Sequence, residues 1–239
     1  MTSLLLTEIF PPRLGGSGRW LAEVYSRFEK DVIVVADADI KYPDLFVEPR
    51  YVRRLPYRFT ETGGFSPVGC RNYLRLLKEV RRLGMAQNIS SVQTARVVPE
   101  GWIAWLWRRV GGPPYQCFAH GEEINLAGAK QGGVMSSRQH RLMAKLVLAG
   151  AERIVANSEN TAAMLTDQWR VNDQKIRVVT PGVDASYFVP AERCCQSRKQ
   201  LEWNGSPVLL SVGRLQKRKG HDRVIEALRP CKVWHVNLE

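Results

Sequence analysis

The sequence predicts an α/β fold built on a doubly wound, mostly parallel sheet. Short apolar runs at Leu4–Phe10, Val32–Ala36, Ile89–Val92, Tyr115–Ala119, Arg153–Ala156 and Ile176–Thr180 alternate with segments whose apolar residues recur every three or four positions. That alternation is how βα units feed a parallel sheet. The first run opens into Pro11-Pro12-Arg13-Leu14-Gly15-Gly16-Ser17-Gly18, a tight glycine-rich corner ahead of a helix. With 44% hydrophobic and 24% charged side chains, the 239 residues have the composition of a folded chain with room for one full domain and part of a second.

The opening run is too short, and too soon followed by Pro11-Pro12, for a signal peptide or membrane span, so it reads as a buried strand. After the glycine-rich corner, Leu21, Val24, Tyr25 and Phe28 mark a helix. Glycines let the corner bring backbone amides close to a ligand, and the helix start adds partial positive charge, so strand, corner and helix form an anion-facing unit. The second run ends at Asp37-Ala38-Asp39, read as solvated turn acids because the first corner does not match the dinucleotide fingerprint. Residues 42–67 read as a surface excursion holding one short strand.

Tyr73, Leu76, Leu77, Val80 and Leu83 then form an apolar stripe, with Arg71, Arg75, Lys78, Arg81 and Arg82 largely off it. This basic amphipathic helix fits two placements: on an anionic bilayer with the stripe in the interface, or packed on a sheet with the cations in water. Ile89–Val92 and Val97-Val98 bracket a loop, and Trp102, Ile103, Trp105 and Leu106 read as a helical core patch stopped by Gly111-Gly112-Pro113-Pro114. The strand at Tyr115–Ala119 delivers His120-Gly121-Glu122-Glu123 to its carboxyl end, where ligands meet parallel sheets, and a histidine there can donate to an oxyanion or exchange a proton. A helix carrying Leu142, Leu146 and Val147, a strand stopping at Asn157-Ser158, a helix over 161–170 and a strand before Pro181-Gly182-Val183-Asp184 complete the alternation.

From Pro181 to Pro207 the texture changes to turns and charges, as in a hinge. A further strand is expected over Pro207–Val212, then a cationic loop with Arg214 and Lys219, then a helix over His221–Leu228 with Val224, Ile225 and Leu228 inward. Cations before a helix start suit a strongly anionic group. The expected division is residues 1–182 and 183–239.

The net charge of +12 favours anionic partners such as nucleotides or lipid headgroups. Neither a zinc pattern nor an aromatic-basic signature points to nucleic acid. Cys70, Cys117, Cys194, Cys195 and Cys231 are odd in number and lack metal-ligand spacing, so no metal site is expected and a reducing cytoplasm fits.

Gly15-Gly16-Ser17-Gly18-Arg19, His120-Gly121-Glu122, Val155-Ala156-Asn157-Ser158, Val178–Asp184, and Val212-Gly213-Arg214-Leu215 with Lys219-Gly220 follow one another in an order that resembles the retaining, nucleotide-sugar-dependent glycosyltransferases of family four. The resemblance implies two facing Rossmann-like domains (a GT-B fold), with residues 1–182 as the acceptor-side domain and 183–239 as hinge and incomplete donor-binding domain. It also implies a nucleotide-diphosphate sugar as donor, without choosing UDP or GDP, and a carbohydrate, lipid or small-molecule hydroxyl acceptor. By the same resemblance Gly15 and Gly16 lie near the donor phosphates, His120 contacts the transferring sugar, and Arg214 and Lys219 clamp the diphosphate. No cofactor or obligatory metal is implied, and Glu122 is placed on the acceptor side rather than as a nucleophile.

The family's paired-glutamate motif has no counterpart here, so the 239 residues alone are expected to have little or no transferase activity, and a complementing carboxy-terminal fragment would be a partner. Cytoplasmic placement, with peripheral contact to the inner face of an anionic membrane, follows. A noncatalytic binding or scaffold protein is the alternative of a different class, and an oxidoreductase would need the dinucleotide fingerprint the first corner lacks.

Overall fold

The computed structural model describes residues 2–13, 15–28, 32–38, 49–55, 64–126, 134–189, 195–201, 203, 208–213, 215 and 217–228. The chain divides into two compact units, Met1–Val183 and Asp184–Glu239.

The first unit is the expected α/β layer structure. Its strands are β1 (Thr2–Thr7), β2 (Val32–Asp37), β3 (Val52–Leu55), β4 (Ile89–Thr94), β5 (Tyr115–Ala119), β6 (Arg153–Ala156) and β7 (Ile176–Val178), and its helices are α1 (Gly16–Tyr25), α2 (Pro67–Ala86), α3 (Glu100–Arg109), α4 (Arg138–Gly150) and α5 (Glu159–Asp167). The strands form one seven-stranded sheet in the order β3-β2-β1-β4-β5-β6-β7. Every neighbouring pair is parallel. The chain winds outward from β1 to β3, returns beside β1 as β4, and winds outward the other way, so the order reverses between β1 and β4.

Alternation along β1 sets the two faces. Leu5 joins Leu21 and Tyr25 of α1 with Val34 and Ala36 in one cluster. Leu4 and Leu6 point into the larger cluster, where residues of α2, α3, α4 and α5, among them Leu76, Ile103, Met143 and Leu165, cover the other face. β1 and β2 are nearly continuous apolar runs because both of their faces are covered, whereas the middle strand β4 is mostly polar.

The stripe Tyr73, Leu76, Leu77 and Val80 of α2 lies in that larger core, while Arg71, Arg75, Lys78, Arg81 and Arg82 are exposed. Of the two placements open for this helix, the stripe takes the packed one. Ser66 starts the helix by accepting the Gly69 amide at 3.0 Å.

Several expectations need correction. β4 runs on to Thr94, and Val97 and Val98 lie within the turn that leads into α3, both buried, rather than beyond it. Leu142 of α4 is exposed while Val147 is buried, because the helix turns its Met143 and Val147 side inward. Asp37 is not a solvated turn acid. It is 4% exposed and paired with Arg13, since the loop after β1 folds over the end of β2.

The described residues of the second unit include α6 (Cys195–Gln200), a tight turn at Lys217–Lys219 and α7 (His221–Leu228). The expected strand is not there: among residues 208–212 no β-structure forms, and Leu209, Leu210 and Val212 are exposed. Val224 and Ile225 are exposed as well, so α7 forms without the inward face expected of it. A strand needs a partner for its backbone groups and a helix needs a surface for its stripe, and the described residues of this unit supply neither. No helix among the described residues is long and apolar enough to cross a membrane.

Candidate functional site

In an open parallel sheet, ligands bind outside the carboxyl ends of the strands where the strand order reverses, because the loops there diverge to opposite faces and leave a crevice. Here that point lies between β1 and β4. The loop after β1 leads into α1 on one face, and the loop after β4 leads into α3 on the other.

Gly15 and Gly16 stand at this edge. Gly15 is the residue before α1, its carbonyl accepting the Arg19 amide at 3.0 Å. A side chain at Gly15 would press on Ile9, its Cβ only 2.7 Å from the Ile9 Cγ2, whereas one at Gly16 would meet nothing within 4 Å. The first glycine is therefore needed for packing and the second for open approach. With no side-chain cap and no acid in the first turn, the start of α1 presents its amides and positive end to the crevice.

His120 follows β5 directly and is held from two sides. Its Nε2 lies 2.9 Å from the Ala95 carbonyl, and its backbone amide donates to Glu123 Oε1 at 2.9 Å. A carbonyl only accepts, so Nε2 carries the proton and Nδ1 is the acceptor of the neutral ring. The Trp20 indole of α1 meets the imidazole edge-on at 5.9 Å between centroids, and Asn157 Nδ2 donates to the His120 carbonyl at 3.4 Å. The fold thus brings α1, the helix that follows the glycine-rich corner, against His120 through Trp20. Gly121, at φ +88°, makes the turn after it.

Glu122 is exposed, and its neighbour Glu123 is the buried carboxylate of the pair. The sequence reading gave Glu123 no role. A Glu three residues on from a main-chain amide at a helix-like turn can reach back to accept from it, a local signal that would have found it. Burial raises the Glu123 pKa, and the His120 charge, the amide bonds and Arg96 only partly offset that rise.

A carboxyl raised on folding is protonated in the folded state over a pH range where the unfolded chain has lost the proton. Stability then falls as pH climbs from the ordinary carboxylate range, about 4.3, toward the raised value. Glu123→Gln keeps an acceptor for the His120 amide without the charge. It should flatten this decline and raise stability at pH 7, as urea unfolding between pH 4 and 8 would show; an unaltered slope would exclude Glu123 as its source.

The sequence reading also missed a chain of alternating charges along the same edge. Arg96, just after β4, donates Nε to both oxygens of Glu100 (3.2 and 3.1 Å) and Nη2 to Glu100 Oε1 (2.9 Å) and to Glu8 Oε2 (2.6 Å). Glu8 Oε1 pairs with Arg13 at 3.2 Å, and Arg13 with Asp37 at 3.3 Å. Glu100 has no exposed surface, and its Oε1 also accepts the Glu8 amide at 2.9 Å. Burial opposes the charge of Arg96, yet the two carboxylates outweigh it and raise its pKa above the usual guanidinium value. The chain ties the segments after β1 and β4 to each other and to the end of β2.

Lys219 lies in the second unit, exposed in the turn before α7, and Gly220 follows it at φ +70°. Arg214 falls outside the described residues. Among the described residues no group of His, Cys, Asp and Glu is arranged to hold a metal ion. Cys117 is fully buried in β5, and burial pushes its thiol up to about 12, which makes it inert packing.

The chain is similar to known proteins in sequence and in fold. D-inositol 3-phosphate glycosyltransferase of Geodermatophilus obscurus is 32% identical over 128 residues, covering 53% of this chain and 28% of that protein. Its counterpart in Segniliparus rotundus is 33% identical over 134 residues, covering 54% and 29%. These matches span less than a third of the relatives' length.

Among solved structures, Anabaena HepE in complex with UDP and glucose superposes with a TM-score of 0.71 at 18% identity, over 97% of this chain and 58% of that one. Sucrose-phosphate synthase from Thermosynechococcus elongatus does so with a TM-score of 0.69 at 16% identity, over 97% and 60%. The fold is the Rossmann-like α/β fold of GT-B glycosyltransferases. The model described as Glycosyltransferase Family 4 matches residues 14–187, nearly the whole of the first unit, and the chain therefore belongs to glycosyltransferase family 4.

Proposed function

We propose that residues 1–182 form the acceptor-side domain of a retaining glycosyltransferase that moves a sugar from a nucleotide-diphosphate donor to a hydroxyl acceptor. The observation that carries this reading is His120, pinned just past β5 by Ala95 and Glu123 and met by Trp20 of α1, the helix whose uncapped start follows the glycine-rich corner at the strand-order reversal. With the Nε2 proton given to Ala95, the ring offers Nδ1 as an acceptor for a sugar hydroxyl, and a helix start suits the departing phosphate. Retention needs no carboxylate nucleophile if the acceptor attacks from the leaving-group face, which agrees with the commitment of Glu123 to the His120 amide. Arg214 and Lys219 supply the diphosphate clamp from residues 183–239. The solved relative that holds UDP and glucose supports UDP as the first donor to try.

Among the described residues of the second unit no strand forms and Leu209, Leu210 and Val212 are exposed, which supports the reading that the 239-residue chain alone does not complete a donor pocket. Incubated alone with UDP- and GDP-sugars and a panel of polyol, saccharide and lipid acceptors, it should give no transfer. Addition of a carboxy-terminal donor half from a family-four relative should restore it. Robust turnover by the pure chain would overturn the incompleteness, and no turnover with any donor half would favour the noncatalytic scaffold.

The exposed Arg71, Arg75, Lys78, Arg81 and Arg82 of α2 give a face for peripheral contact with an anionic membrane through charge alone, since the stripe is occupied in the core. Flotation with acidic vesicles that disappears at high salt is the expected result. Failure to float even at low salt would remove the membrane contact.

A further inference from the structure

The geometry points to Arg96 as a positioning residue that fixes the proton-bearing nitrogen of His120, an inference that rests on the role given to His120 above. The Ala95 carbonyl determines which ring nitrogen holds the proton, and that carbonyl belongs to the Ala95–Arg96 peptide. Both flanks of the peptide are fixed: the Ala95 amide donates to Leu6 at 2.9 Å, and the Arg96 carbonyl accepts the Thr94 hydroxyl at 3.1 Å and the Gly101 amide at 3.2 Å. The guanidinium is the outer clamp. Its rigid fork spans Glu100 and Glu8, which lie next to each other because the Glu8 amide donates to Glu100. Without the cation these two carboxylates face each other across the turn with no charge between them, and the turn that aims the Ala95 carbonyl opens.

Arg96 does not act on His120 as a whole. The backbone of His120 is held independently by Glu123, and its ring is flanked by Trp20. Loss of Arg96 should therefore release the ring nitrogen while leaving the His120 main chain in place, which separates positioning from general loosening.

The test is ring ¹⁵N NMR of the histidine-labelled 239-residue chain at pH 8, with His120→Gln to assign the signal among the four histidines. The native chain should show a single tautomer protonated at Nε2. In Arg96→Met the two ring nitrogen shifts should move toward one another as tautomers mix, while the His120 backbone amide shift stays put. A native tautomer in folded Arg96→Met overturns the proposal, as does a backbone amide shift as large as the ring effect. Should Arg96→Met fail to fold, Glu8→Gln, which leaves the Arg96–Glu100 pair, is read the same way: a smaller ring shift supports the proposal and none overturns it. The measurement uses neither donor nor acceptor, so its failure is distinct from failure of the transferase reading.

Discussion

Glu100→Ala is expected to destabilise the first unit by about 3–5 kcal/mol, the range for breaking a buried ion pair by removing one partner. Glu100 is entirely shielded from solvent and accepts from Arg96 and from the Glu8 amide. Its removal leaves the Arg96 guanidinium, 22% exposed at the side chain, with Glu8 alone and the Glu8 amide without its acceptor. At about 2–4 °C per kcal/mol for a domain of this size, the melting temperature should drop by roughly 10 °C. Glu100→Gln, which keeps an acceptor but not the charge, should lose less. Thermal and urea unfolding followed by circular dichroism decide the matter, and a loss under about 1 kcal/mol for the alanine variant would mean that the charge chain does not hold the strand ends together.

His120→Ala should do the opposite, sparing the fold and removing the chemistry. The ring gives up one hydrogen bond to a backbone carbonyl, worth about 0.5–1.5 kcal/mol. In the enzyme completed with a donor half, transfer should fall by roughly 10²–10³, within the range for loss of a positioned group that accepts a proton or hydrogen bond from the substrate. His120→Gln, which keeps an N–H at the tip, should recover part of the loss. Turnover within threefold of the native chain in His120→Ala would remove His120 from the site and take the proposed function with it.

Strands and helices of the first unit were legible because burial on both faces of a parallel sheet writes continuous apolar runs, and burial of one helix face writes a three-to-four spacing. The position of His120 was legible for the same reason, since a strand's end locates whatever follows it. Glu8 and Arg96 were not, because they stand 88 residues apart and meet only when β1 and β4 become neighbours. Arg96 and Glu100, four apart across the turn into α3, carry a local signal, but it spans a loop and a helix start and so belongs to no single period. Asp37 read as a surface acid because its partner Arg13 lies on a different loop. Residues 208–212 erred in the other direction: β propensity is a preference for a half-buried pleated surface, and these side chains find none among the described residues of their unit.

By itself the sequence determined the alternation of strands and helices, the glycine-rich corner before α1 and the placing of His120 at a strand end, because each follows from the order of neighbouring residues along one element. Only the tertiary structure decided that α2 buries its stripe, that Glu123 accepts the His120 amide, and that Arg96 joins Glu8 to Glu100. Those outcomes depend on which loops the parallel pairing sets side by side, and on the cost of leaving a buried charge or amide without a partner.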